Sequence, residues 1–254
     1  MDMSTLAHRS IADELRIARR ARIFFAHHSV GANLLAGVKR IDDRHGGGLD
    51  IVELEQADAT PQPAWFHASG GRNTDPASKV DFFAAALRRC SALRPGMALM
   101  KFCFVDVGPH TDTDALLGYY ARAIDALKQE HPEITFAHVT VPLVRRPMQM
   151  KWRLHRAIGR LVWEDEANVK RCHFNERLQA ELAGDPIFDL ARAESTRPDG
   201  SREVFEHRGR SYHALDPRYT DDGGHLNQLG QLHVGAEMIG FVAAALADSA
   251  PPPS

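Results

Sequence analysis

The chain has 254 residues, of which 44% are hydrophobic and 25% charged, and 31 basic side chains against 33 acidic ones leave a formal charge of −2. Such a composition belongs to a folded globular protein and excludes a disordered, collagen-like or coiled-coil chain. The near-neutral balance also removes any overall basic field that would draw the chain to nucleic acid or to an anionic membrane.

Residues 4–20 place Leu6, Ile11, Leu15 and Ile17 at helical spacing and predict an amphipathic helix, so that 1–21 reads as a helical extension ahead of the core. Arg22–Ala26 is a compact apolar run, expected as a buried strand that stops at His27-His28-Ser29-Val30-Gly31. A helix follows over Ala32–Ile41, closed by Gly46-Gly47-Gly48, and Leu49–Leu54 is the second expected strand. Residues 56–77 show no periodicity and read as a long loop, of a length that is more often functional than idle. A helix is predicted over Ser78–Leu93 and a nearly continuous apolar strand over Met97–Val107. Thr111 is the expected cap of a helix running to Glu130, and Ile134–Val141 is the fourth strand.

Arg145–Arg160 then carries six basic residues interleaved with Met148, Met150, Trp152 and Leu154, either as a solvated helix face or as a cover over the strand ends whose arginines meet an anionic substrate. A helix over Ala167–Leu182, a fifth strand over Pro186–Leu190, a loop-like stretch over 191–224 and a closing helix over Asn227–Leu246 complete the series. This alternation implies one α/β unit over 22–248, a parallel sheet of about five strands covered by helices on both faces, in flavodoxin-like order rather than a barrel. The Pro-rich residues 249–254 are expected as a disordered tail.

Three cysteines, Cys90, Cys103 and Cys172, at long spacings and without a CxxC, argue against a disulfide framework or a structural zinc site. The first 20 residues lack the apolar core and cleavage site of a signal peptide. No run of about 18 apolar residues is apparent, so no membrane span is expected and the reading is cytoplasmic.

Two segments carry chemistry. Ser29 stands where the first strand gives way to a helix, and helix-start N–H groups stabilise the oxyanion that attack on an ester creates. The same position suits a plain N-cap serine. Asp222-Gly-Gly-His225 precedes the last helix, where His225 could take the serine proton while Asp222 holds the imidazole; a capped glycine turn is the structural alternative. Together the two segments are far more specific than either alone.

On those residues the chain resembles the SGNH (GDSL-like) hydrolases from about Arg22 to Val242, and especially a branch with HHSVG where most members have GDS. The resemblance implies a flavodoxin-like three-layer α/β/α sandwich and a Ser–His–Asp esterase or deacetylase that needs no metal or cofactor. Ser29 matches the nucleophile, His225 the base and Asp222 the orienting acid, with Asp221 as the adjacent alternative. The family's oxyanion hole joins the nucleophile N–H to a block II glycine and a block III asparagine. Block II falls in Ser69–Asn73, with Gly71 the chosen donor and Gly70 beside it. Block III falls in Lys101–Asp106, where no Gly-x-Asn occurs and Asp106 stands near the expected asparagine. A carboxylate there would repel an oxyanion, so Asp106 is expected to bind a neighbouring loop or to orient His27 or His28, with Asn73 supplying the missing amide. By the same resemblance His28 falls among the oxyanion and substrate-binding residues, and the substrate is a small acyl ester such as an acetylated carbohydrate.

Two other readings stand beside this one. A metal-assisted hydrolase could use His27 or His28 with His225 and Asp106 or Asp222, although no close-spaced ligand motif is present. A non-catalytic binding protein on the same fold is the other. Trp65, with Phe66 and His67, is the expected substrate wall, and Trp152 and Trp163 are candidate stacking surfaces with at least one expected in the core. Asn168, Arg171 and Asn175 share a helix face that either meets water or enters a buried network.

Overall fold

Arg22–His27 (β1) is apolar on both faces, so it must be covered on both, and it occupies the middle of the sheet. A computed structural model describes residues 9–58, 60–147 and 162–248. In chain order it contains Ile11–Ala18 (α1), β1, Ser29–Arg44 (α2), Ile51–Glu53 (β2), Ala64–Ser69 (β3), Pro76–Cys90 (α3), Met97–Met100 (β4), Thr113–Glu130 (α4) and Thr135–Val139 (β5). Trp163–Glu181 (α5), Ile187–Phe188 (β6), Leu190–Ser195 (α6), Val204–His207 (β7), Arg210–His213 (β8) and Gln228–Asp248 (α7) follow.

The sheet has six parallel strands in the order β2-β3-β1-β4-β5-β6. Without the three-residue edge strand β2, the order is that of flavodoxin-like sheets. Alternation along β1 divides the core. Ile23 and Phe25 pack with Leu15, Leu34, Val38, Met238 and Ile239 of α1, α2 and α7. Phe24 and Ala26 pack with Phe83, Leu87, Leu116 and Phe174 of α3, α4 and α5.

Several expectations change. The stretch 56–77 contains β3, a sixth strand, whose apolar run Ala64-Trp65-Phe66 follows Pro61 and Pro63 and is broken by His67 before Ala68 and Ser69. Trp65 lies on β3 inside the core, fully buried, with its indole N–H donating to the Ala18 carbonyl at 3.1 Å; it is not a substrate wall. The third expected strand ends at Met100 rather than Val107, because the chain turns into a short 3₁₀ helix at Phe104–Asp106. Asp112, not Thr111, caps α4 by accepting from the Ala115 N–H at 3.0 Å. The loop-like stretch 191–224 holds α6 and the β7–β8 hairpin, whose turn places Arg208 at φ 50° and Gly209 at φ 73°. Most of the basic segment, including Trp152, lies outside the described residues.

Gln228–Ala247 of α7 has a mean hydropathy of 1.4 and is long and apolar enough to cross a membrane by length and composition, which the sequence reading did not anticipate. In the fold this helix packs on α1 and α2 and buries Val234, Met238, Ile239 and Val242. Its contact with α2 is made backbone to backbone. A Cβ on Gly37 would lie 1.9 Å from the Gln231 carbonyl oxygen, and one on Gly235 would lie 2.7 Å from the Gly37 carbonyl carbon.

Gly37→Ala is therefore expected to destabilise the protein by about 1–3 kcal/mol through overpacking against backbone that has nowhere to go. Gly184→Ala, where an added Cβ meets nothing within 4 Å, is the control and should stay within about 0.5 kcal/mol. Urea unfolding of the two variants checks this.

Candidate active site

His28 is fully extended (φ −129°, ψ −164°) and α2 starts at the next residue, so Ser29 is exposed at the carboxyl edge of the sheet on the first position of a 16-residue helix. The Gly31 and Ala32 N–H groups return to the His28 carbonyl at 2.7 and 3.2 Å. The Ser29 and Val30 N–H groups precede any intrahelical acceptor, as the first N–H groups of every helix do, and they sit at the positive end of the helix dipole.

The residues before α7 form a tight loop on the other side of Ser29. One Asp222 oxygen accepts from the Gly224 and His225 N–H groups at 2.9 and 2.8 Å. The other meets His225 Nδ1 at 2.6 Å, and His225 Nε2 lies 2.9 Å from Ser29 Oγ. The Gly224 N–H above all, and then the His225 backbone and ring N–H, hold the Asp222 carboxyl well below the usual carboxylate range. An ionised Asp222 only accepts, so Nδ1 of His225 carries its proton and Nε2 is left to accept from the serine hydroxyl. The ring stands edge-on to Phe104 with centroids 5.6 Å apart. Gly224 permits that approach, since a Cβ there would lie 2.8 Å from the Phe104 ring. The loop is tied to α2 by the Leu226 N–H, which donates to Asn33 Oδ1 at 3.1 Å, one turn along from Ser29. Asp221 does not reach His225; it accepts from Asn227 Nδ2 at 3.1 Å.

β3 runs beside β1 with Ser69 opposite His27, which brings Ser69-Gly70-Gly71 next to the His27-His28-Ser29 segment. His28 Nε2 donates to the Gly70 carbonyl at 2.6 Å and joins the two. In a trans peptide this turns the Gly71 N–H to the opposite side. Gly71 is at φ 76°, and a Cβ on it would lie 2.7 Å from Lys79 Cα, so the residue type is dictated by both backbone and space. Asp106 orients neither His27 nor His28. It is buried, accepts from the Thr74 and Cys103 N–H groups at 3.0 and 2.6 Å, and pairs with the buried Lys79 ammonium at 2.6 Å. Lys79 also donates to Asn73 Oδ1 at 2.9 Å, so the Asn73 amide nitrogen is the end of that side chain left to face outward.

His27 Nδ1 donates to the His28 carbonyl at 3.0 Å, and its Nε2 lies 3.3 Å from His67 Nδ1. Burial pushes its pKa down from the usual 6.5 to about 4. Among the described residues no three His, Cys, Asp or Glu side chains converge as a metal-ligand set.

A cavity of about 520 Å³ adjoins His225, lined by Phe104, Arg145, Trp163 and Asp222–His225 among others. Trp163 is exposed here, while Asn168, Arg171 and Asn175 form a buried network. Asn175 and Asn168 bond both the N–H and the carbonyl of Val141 and of Val144, at 2.7–3.0 Å. Arg171 donates to the Phe104 carbonyl at 3.0 and 2.7 Å, and so fixes the wall beside His225. The sequence reading did not single out Asn33, Lys79 or Phe104. The signal for Asn33 is its place one turn after Ser29; Lys79 and Phe104 carry none that spacing reveals.

Lys79→Met is expected to cost about 3–5 kcal/mol, because it leaves the Asp106 carboxylate buried without its counter-charge; chemical denaturation measures this. For His27 the folded pKa lies below the unfolded one, so its contribution is complete above pH 6.5 and is lost as pH falls toward 4. The loss amounts to about 3 kcal/mol at 1.36 kcal/mol per pH unit. A His27→Gln variant should show a shallower fall of stability across that window.

No family model matches the sequence, and no curated protein matches it. Solved structures do resemble its fold. A Streptococcus pneumonia protein described as a platelet activating factor superimposes with a TM-score of 0.51 at 13% identity, covering 91% of each chain. An acetyl xylan esterase gives 0.49 at 16% identity over 85% of this chain and 96% of the other. A protein of Slackia heliotrinireducens described as an SGNH hydrolase gives 0.46 at 15% identity, over 89% and 98%. In fold, then, the chain is a flavodoxin-like three-layer sandwich with a six-stranded parallel sheet, similar to the first of these structures.

Proposed function

We propose that the chain is a serine-dependent ester hydrolase that acts on a small acyl ester, with acetylated carbohydrate as the substrate class. The observation that carries this reading is the unbroken hydrogen-bonded path from Ser29 Oγ through His225 to Asp222, set at the carboxyl edge of the sheet. Ser29 attacks the ester carbonyl as His225 Nε2 takes its proton. The imidazolium is stabilised by the Asp222 carboxylate, and His225 then returns the proton to the leaving alcohol. Water, deprotonated by the same histidine, cleaves the acyl-enzyme and regenerates Ser29.

The tetrahedral oxyanion needs donors that exist before the reaction begins. The Ser29 N–H at the start of α2 is one. The Gly71 N–H is the second, supported by the His28–Gly70 bond that fixes its peptide. The Asn73 amide is the third, with its oxygen turned away toward Lys79. Asp106 acts here as a brace between the loop at Thr74 and the turn at Cys103, and not as a donor.

Fluorophosphonate labelling with peptide mass spectrometry tests the reading. Stoichiometric label on Ser29, absent from Ser29→Ala and insensitive to chelator, is the expected result; no label on Ser29 would sink the serine mechanism. On a chromogenic acetyl ester, Asp222→Asn is expected to lower kcat by on the order of 10³–10⁴, because the amide no longer enforces the tautomer that leaves Nε2 free.

A further inference from the structure

The Thr140 N–H still donates to the Phe188 carbonyl of β6 at 3.1 Å, and beyond it, among the described residues, side chains take over the ladder. Asn175 bonds Val141 on both sides, Asn168 does the same for Val144, and Glu194 accepts from the Leu143 N–H. The next residue, Arg145, donates its own N–H to the Gly223 carbonyl at 2.8 Å, within the loop that carries Asp222 and His225. Its backbone is therefore tied to that loop. Its side chain runs alongside Gly223, with Nε and one Nη 3.9–4.0 Å from where a Gly223 Cβ would be.

That guanidinium is half-buried on the wall of the cavity beside His225, and among the described residues no hydrogen bond or ion pair reaches it. Its neighbour Arg146 differs: it is taken up by a two-point pair with Asp165 at 2.9 and 3.2 Å. Asp222 is committed to His225 and to two backbone N–H groups, and Glu164 on the same wall lies in the first turn of α5, where the helix dipole favours its charge. Arg145 is thus the one cation of this wall without a counter-charge among the described residues. Trp163, which lines the same cavity, is 53% exposed, with the Arg171 guanidinium 6.0 Å from its ring, so one indole face is braced and the side chain still meets solvent.

The position of the cavity says which part of a substrate it takes. A leaving alcohol must come within hydrogen-bond reach of His225 to receive its proton, so a cavity walled by His225 receives the alcohol side of the ester. We infer that this cavity is a subsite for an anionic alcohol, a carboxylate-bearing sugar ring in which Arg145 grips the carboxylate and Trp163 stacks on the ring. The planar fork of arginine matches a carboxylate in two-point geometry, and sugar C–H faces pack well on indole. The inference rests on the hydrolase reading for the label "alcohol side", but the anion preference itself can be read by binding alone.

The test compares two matched esters, the methyl glycosides of O-acetyl glucuronic acid and of O-acetyl glucose. Wild type should favour the uronate in kcat/KM by roughly 10- to 100-fold, as expected for hydrogen bonds to a charged group. The preference should shrink in the order wild type, Arg145→Lys, Arg145→Gln, and invert in Arg145→Glu. Calorimetric binding of both esters to Ser29→Ala, with and without Arg145→Gln, reads the same preference without turnover. A uronate preference in binding that Arg145→Gln abolishes supports the subsite even if Ser29 takes no fluorophosphonate, in which case only the hydrolase reading falls. Equal binding of the two esters, or a preference that ignores the charge at position 145, overturns it.

Discussion

Helices α2 and α7 approach until backbone meets backbone, and the rest of the site depends on that contact. Ser29 begins one helix and His225 lies just before the other, 196 residues apart in the chain. Nothing local brings them together. Gly37 and Gly235 allow the two axes to close, and the Asn33 bond to Leu226 then fixes the loop against the first turn of α2. A hydrogen bond of 2.9 Å between Nε2 and Oγ tolerates little error, so helix packing sets a distance that chemistry would otherwise have to find anew.

The other wall of the site is built by a different device. Between Val141 and Arg145 the backbone has the needs of a strand but no neighbouring strand to meet them. Asn175 and Asn168 meet them with four bonds from one face of α5, and Glu194 adds a fifth from α6. Burial pushes the Glu194 carboxyl up to about 8, which fits its place deep beneath this segment. Side-chain amides here do what a peptide group does in a sheet, and so a loop is given the fixity of a strand.

How much of this was legible in the sequence follows from the range of each interaction. Strands such as Arg22–Ala26 were readable because burial on both faces writes a continuous apolar run, and the approach of Ser29 to the Asp222–His225 loop was readable because each motif is compact. β3 was hidden because its apolar run Ala64–Phe66 is broken by His67 and follows two prolines. Trp65 looked like a wall because it stands among polar loop residues, while its register against Ile23 places it in the core. Charge repulsion was enough to doubt Asp106 as an oxyanion donor, but its partner Lys79 lies 27 residues away and no spacing announces the pair. The asparagine–arginine face of α5 left two readings open because its partners are backbone groups, which every residue carries and no sequence marks.

The order of the chain gives the α2–α7 contact a meaning in time. During synthesis β1 and α2 emerge before α7, so Val30, Leu34 and Val38 at first lack the part of their surface that α7 supplies. Residues 228–248 follow only after nearly two hundred others have been added. Until then that face packs only on earlier elements such as α1 and β1, and a nascent chain in this state is open to association and to chaperones. The same arrangement means that Ser29 meets its histidine only as the last core layer closes, so that the finished site and the finished fold arrive together.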